Sequence, residues 1–294
     1  MSVAILRSDR PDVGEQSIAQ ETLERGDGRA ELRFERRNGA TALAHLYQRS
    51  PCRILFPNAA EGDLPVAVMV TTSGGLAGGD RLQIEMGAGA GAKAVVTAQA
   101  AEKIYRSLGP ATQLEIALAV EAGGWLEWLP QETILFEGAR LDRRTAAEVA
   151  ETGRLLACEI AVFGRTARGE RFTRGLLRDR WSIRREGKLV WTDALLLEEG
   201  IAERLASPFG FDGATALATA LYVGPDAAAL LPLARALALD GEARAAASLV
   251  NGVLLARFLG REARDVRLHL AGYLSHLRRA AAGLPAALPR VWHC

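Results

Sequence analysis

The stretch Ser73-Gly74-Gly75-Leu76-Ala77-Gly78-Gly79-Asp80 could do chemistry by backbone alone, because glycine lets N–H groups approach an anion closely enough to cradle a phosphate. No Lys-Ser or Lys-Thr pair follows it, so the Walker signature is absent. The next residues place Leu82, Ile84 and Met86 between Arg81, Gln83 and Glu85, so the loop enters a strand and not a helix whose N-terminus could hold phosphate. Local chemistry favours a glycine-built loop with Asp80 hydrogen-bonding the turn. A second candidate is Trp125–Ala139, where Glu127, Glu132 and Glu137 fall among aromatics. Such acids could form an acid/base pair or supply oxygen ligands to a hard metal, and Glu132 with Glu137 or Glu170 is the pair a β-rich hydrolase would use. With no histidine nearby, they better fit a strand with polar faces and tryptophan in the core. Phe163–Glu170, with Arg165, Arg168 and Glu170, reads as a loop with an Arg–Glu pair, and Glu102, Lys103 and Arg106 put mixed charge near a strand end. The histidines are His45, His269, His276 and His293; His269 and His276 stand seven apart on one expected helix, and His293-Cys294 could bind a borderline-soft ion. Nothing pairs a nucleophile with a base.

The elements that must position these residues are mostly strands. Ala30, Leu32 and Phe34 alternate with Glu31, Arg33 and Glu35, and the period of two returns at Leu114, Ile116 and Leu118. Apolar runs at 53–56, 66–72, 94–98 and 155–163 read as buried strands, with glycine-rich turns between. Trp181, Ile183, Leu189 and Trp191 flank Glu186-Gly187, a hairpin signal. The pattern predicts antiparallel all-β structure, because no amphipathic helices are interleaved. Helices are expected at 226–239, 242–259 and 265–282, the last with Val266, Leu270, Tyr273, Leu274 and Leu277 on one face. Residues 1–28 read as a flexible lead-in, and 29–294 as one domain, strand-rich over 29–205 and helix-rich over 206–294.

The chain has 294 residues and a net charge of +1, which gives no reason to expect nucleic acid or a membrane as partner. Three scattered cysteines, Cys52, Cys158 and Cys294, give neither a disulfide framework nor a zinc pattern. With no secretory signal and no long apolar run, a cytoplasmic location is expected.

Taken in order, Thr72–Gly75 with Gly78-Gly79-Asp80, Thr97–Gln99 with Lys103 and Tyr105-Arg106, Leu126–Ile134, Phe163–Arg165 with Gly169-Glu170, Trp191 with Asp193, and Leu288–Trp292 resemble the urease accessory protein family UreD, also called UreH. The resemblance covers roughly residues 30–292. It implies a β-helix-like stack of short strands with helices packed on it, mainly β and α+β overall. It implies a non-enzymatic scaffold that joins UreF and the GTPase UreG on the urease apoprotein (UreABC) and helps insert nickel. GTP and Mg²⁺ would belong to UreG, and Ni²⁺ would only pass through. A polar, water-filled passage is the nickel route the resemblance implies; by motif its candidate residues are Asp80, Glu132, Glu137 and Glu170. Arg165, Arg168, Arg171 and Arg174 become candidate interface, with Tyr273 of the last helix and Trp292 of the tail as a second surface, for UreF. A β-rich hydrolase and a β-rich ligand-binding module are the rival classes.

Overall fold

The computed structural model describes residues 25–293. The expected lead-in 1–28 lies almost wholly outside the described residues, and the first strand begins at Asp27. The chain runs β1 (Asp27–Arg37), β2 (Ala40–Arg49), β3 (Cys52–Leu55), β4 (Val66–Thr71), β5 (Arg81–Ala88), β6 (Lys93–Ala98) and β7 (Glu102–Ile104). There follow β8 (Thr112–Val120), β9 (Trp125–Leu129), β10 (Thr133–Leu135), β11 (Arg140–Val149), β12 (Arg154–Phe163), β13 (Leu176–Arg185) and β14 (Lys188–Leu197). The remainder is α1 (Ile201–Ala206), β15 (Ala216–Val223), α2 (Ala227–Ala238), β16 (Arg244–Val250), β17 (Val253–Gly260) and α3 (Ala263–Ala282).

Between β4 and β13 the chain passes back and forth between two sheets. The first sheet has the order β14-β13-β11-β8-β5-β1-β2, and the second runs β16-β17-β15-β12-β9-β6-β4-β3, with β7 and β10 as a short side ladder. The neighbours β1/β5, β5/β8, β8/β11 and β11/β13 are all parallel, as are β4/β6, β6/β9 and β9/β12. The chain therefore winds as a β-solenoid, and the antiparallel expectation is corrected. Alternation of apolar and polar residues records only that one face of a strand is buried; it is identical for both strand directions. Antiparallel pairing is confined to the ends, including the β13–β14 hairpin, whose Glu186 and Gly187 both have positive φ (48° and 71°) as a two-residue primed turn requires.

Three layers result. The inward residues of both sheets form one core, with Leu82/Leu114, Ile84/Ile116 and Met86/Leu118 in register on adjacent coils. The other face of the second sheet forms a second core with α2 and α3, so β12 is buried on both sides. Helix α3 buries Val266, Leu270, Tyr273, Leu274 and Leu277 as its spacing predicts, and ends at Gly283 in the left-handed conformation. The expected helix 242–259 is instead the hairpin β16–β17. Its alanines suggest helix, but Asn251-Gly252 at φ 47° and 80° forms the tight turn and the strands pair through Val250/Val253. Residues 206–294 are thus helix and strand together, mainly β with helices packed on one side.

Candidate functional site

The glycine-rich loop is a joint between coils. Leu76 N–H donates to Lys103 O at 2.7 Å, and Tyr105 N–H donates back to Leu76 O at 2.8 Å. Tyr105 Oη donates to Gly74 O at 3.0 Å. A Cβ on Gly75 would stand 2.6 Å from the Tyr105 ring and 2.9 Å from Lys103 O, so only glycine fits. Asp80 accepts from the N–H groups of Gly26 (2.8 Å) and Ala77 (2.7 Å), closing the turn as the sequence suggests. The next coils lock onto it: Phe136 meets Tyr105 edge-on at 5.1 Å, and the Arg165 guanidinium stacks 4.1 Å over Phe136.

The other motif carboxylates are likewise spent on donors. Glu132 accepts two hydrogen bonds from Arg267 of α3, both 2.9 Å. Glu137 accepts from Thr173 N–H (2.7 Å) and Thr173 Oγ1 (2.8 Å) and pairs with Arg174 at 3.0 Å. Glu170 pairs with Arg165 and accepts from Glu137 N–H at 3.2 Å. Asp80, Glu132, Glu137 and Glu170 therefore hold loops and the last helix, each with its own donors. Arg168 and Arg171 are exposed and form no ion pair among the described residues. Tyr273 is buried against Phe258, ring centroids 5.3 Å apart. Trp292 is buried with its Nε1–H on Thr97 Oγ1 (3.2 Å) and Leu129 O (3.3 Å). Both belong to this chain's own core and not to a free surface, since apolar rings buried at home are not available to a partner. His269 is buried, its Nε2–H donating to Leu237 O at 3.0 Å, whereas His276 is exposed, so the two do not act together. Cys52 and Cys158 are free and buried, and burial pushes the Cys52 thiol to about 11, away from nucleophilic use. Cys294 lies outside the described residues. Among the described residues no three His, Cys, Asp or Glu side chains gather as a metal cluster.

Polar groups instead meet between the sheets. A cavity of about 270 Å³ lies under the glycine loop, its mouth marked by the exposed Gln99, Ala100 and Lys103 and its inner end by Thr133, Arg143 and Glu159. Glu102 borders the mouth; burial pushes its carboxyl up, opposed by the hydrogen bond from Thr71 Oγ1 at 2.5 Å. Gln131 Oε1 is buried at this cavity without a donor. A second cavity of about 460 Å³ shares Glu159 and continues past Asp179, Trp181 and Thr219 to the Asp193–Arg257 pair.

Strand parity puts the charges there. Along β11 the inward residues are Leu141, Arg143, Thr145, Ala147 and Val149, and along β13 they are Leu177, Asp179, Trp181 and Ile183. Parallel register sets Leu82, Leu114, Arg143 and Asp179 in one row across four coils. Glu159 faces them from β12. Arg143 donates to Asp179 through Nε (3.1 Å) and Nη2 (2.8 Å), to Thr133 Oγ1 through Nη1 (2.9 Å), and to Glu159. Trp181 Nε1–H donates to the other Glu159 oxygen at 3.1 Å. Burial drives the Glu159 carboxyl well above the usual range despite Arg143. Burial also works upward on Asp179, but the Arg143 charge and the hydrogen bonds to Asp179 outweigh it and hold it below. Arg143, Glu159 and Asp179 are not among the motif residues. Their signal in the sequence is a charge at an inward position of an otherwise apolar strand.

Among the described residues the arrangement places no nucleophile beside a base, and it offers oxygen ligands singly along two cavities that both border Glu159. The sequence profile described as UreD urease accessory protein matches residues 26–293. The chain is 46% identical over 270 residues to the urease accessory protein UreD of Magnetococcus marinus, covering 90% of this chain and 93% of that one. It is 42% identical over 279 residues to UreD 1 of a Bradyrhizobium strain (94% and 97% covered). It is 40% identical over 292 residues to UreD of Xanthobacter autotrophicus (99% and 98% covered). A solenoid built from the motifs that prompted the resemblance, matched over nearly its whole described length, places the chain in the UreD family of urease accessory proteins.

Proposed function

We propose that this chain is a non-enzymatic, cytoplasmic scaffold of urease maturation, and that nickel crosses it between the two sheets. It joins UreF and the GTPase UreG on the urease apoprotein UreABC; GTP and Mg²⁺ act on UreG, and Ni²⁺ is cargo. The observation that carries this reading is the line of polar groups from Glu102 through Thr133, Glu159 and Asp179 to Asp193 along two cavities that share Glu159. An ion in transit needs ligands met one or two at a time, weak enough to release it. A cluster of cysteine and histidine would trap nickel. The carboxylates Asp80, Glu132, Glu137 and Glu170 steady the coil joints around this route. The exposed Arg168 and Arg171, next to the Arg165–Glu170 pair, suit an acidic partner surface.

Co-expression with UreF, UreG and apo-urease tests this. Glu102→Gln is expected to lower the nickel content of urease several-fold with the accessory complex intact. Glu170→Ala is expected to lower it less, through loosened loops. Unchanged nickel content in Glu102→Gln, or failure of the wild-type chain to bind UreF, would sink the reading.

A further inference from the structure

The two cavities meet at one side-chain cluster, in which a guanidinium on the side of the first cavity grips the carboxyls that line the second. Arg143 lines the first cavity, Asp179 lines the second, and Glu159 lines both. Arg143 is 4% exposed and its donors are taken up by Asp179, Glu159 and Thr133 Oγ1. Trp181 fixes the remaining Glu159 oxygen. The carboxylate oxygens at the junction, those an arriving cation would use, are thus already occupied by a cation tethered to β11. Its surroundings are adapted to positive charge: two acids face one guanidinium, one acid more than Arg143 alone would need. The guanidinium repels any second cation in a place where burial weakens screening.

Resting on the reading that nickel crosses between the sheets, we propose that Arg143 is the gate of that passage, standing in for the travelling cation at Glu159 and Asp179 until a divalent ion displaces it. The closed state is then the one described, with the two cavities separated by the Arg143–Asp179 and Arg143–Glu159 pairs. A monovalent ion brings no more charge than the guanidinium and gains nothing by exchange. A divalent ion satisfies both acids at once, so the junction filters by valence as well as by occupancy.

The test uses the full accessory complex loading Ni²⁺ into apo-urease, with the initial rate of nickel incorporation as readout. The double variant R143Q/D179N removes the guanidinium together with Asp179, the acid held ionised, and leaves Glu159, whose burial favours the neutral form, so that no buried charge is orphaned; it is expected to load nickel faster, on the order of tenfold. R143K keeps the charge and loses the two-pronged grip, and is expected to fall between that rate and the wild-type rate. Ala101→Phe, at the mouth of the first cavity, narrows the route itself and is expected to slow loading. Circular dichroism and recovery of the complex confirm folding, and R143K decides the matter if the double variant does not assemble. Slow loading in Ala101→Phe with wild-type or lower rates in both Arg143 variants overturns the gate and leaves the route standing. Wild-type loading in Ala101→Phe overturns the route, and the gate with it.

Discussion

Two buried arginines in this molecule have nearly the same partners and different surroundings. Arg143 faces Glu159 and Asp179, with Trp181 donating to the glutamate. Arg278 faces Glu127 (3.0 Å) and Asp63 (2.6 and 3.1 Å), with Trp125 donating to the glutamate at 2.9 Å. The partners of Arg278 lie 151 and 215 residues away, and its Nη1 also donates to Pro285 O (3.1 Å) and Ala287 O (2.5 Å). It therefore clamps α3, the tail, β9 and the segment before β4 together, sealed by backbone. The acids of Arg143 are 16 and 36 residues away, across the interior and on the adjoining strand of its own sheet; one cavity borders Arg143 itself and a second borders both acids. The chemistry of an ion cluster does not decide its role; what closes it off does. Backbone carbonyls make one a staple, and open space makes the other exchangeable.

The comparison can be broken in order of expected effect. Arg278→Met leaves two acids buried without a cation and is expected to cost roughly 3–5 kcal/mol, read by denaturant unfolding. Arg143→Lys keeps a cation but loses part of the fork, and is expected to cost about 1.5–3 kcal/mol in the same experiment. An equal loss for both would mean that the two arginines play the same structural part. The third comparison is in pH. Glu159 has a folded-state value raised above the ordinary 4.5, so the folded chain holds a proton that the unfolded chain releases as pH rises past that point. Stability from this group therefore falls with rising pH through that window. Melting temperatures of Glu159→Gln and wild type, taken at about pH 5 and about pH 8, should shift in favour of the variant at the higher pH. The smallest effect is at the surface: Glu170→Ala breaks a half-exposed pair with Arg165 and should change unfolding free energy by at most about 1 kcal/mol.

Much of the scaffold was legible in the residues. Alternation located β1, β5 and β8, and Glu186-Gly187 located the hairpin turn. Strand direction was not legible, because a half-buried strand carries the same alternation whichever way its neighbour runs; only the family resemblance pointed to the stack. Alanine dominates the hairpin β16–β17 and by propensity predicts helix there, whereas Asn251-Gly252 is the turn signal that decides it. For the interior cluster, one rule would have sufficed. Arg143, Glu159 and Asp179 are each a charge at an inward position between apolar residues, and such a residue must find partners inside. The glycine and carboxylate motifs lie in the loops, where their side chains hold the coils together.

The parallel coils also bear on the order in which the chain can be made. The parallel partner of Asp27 is Arg81, that of Arg81 is Gln113, and that of Leu141 is Leu177, so each strand waits for its neighbour until the intervening coil has been synthesised. Contacts so distant in sequence make folding slow and leave open strand edges exposed meanwhile. On a ribosome the solenoid would close coil by coil from β1 onward, and α3, with the Arg278 clamp reaching back to Asp63, would arrive last to lock it.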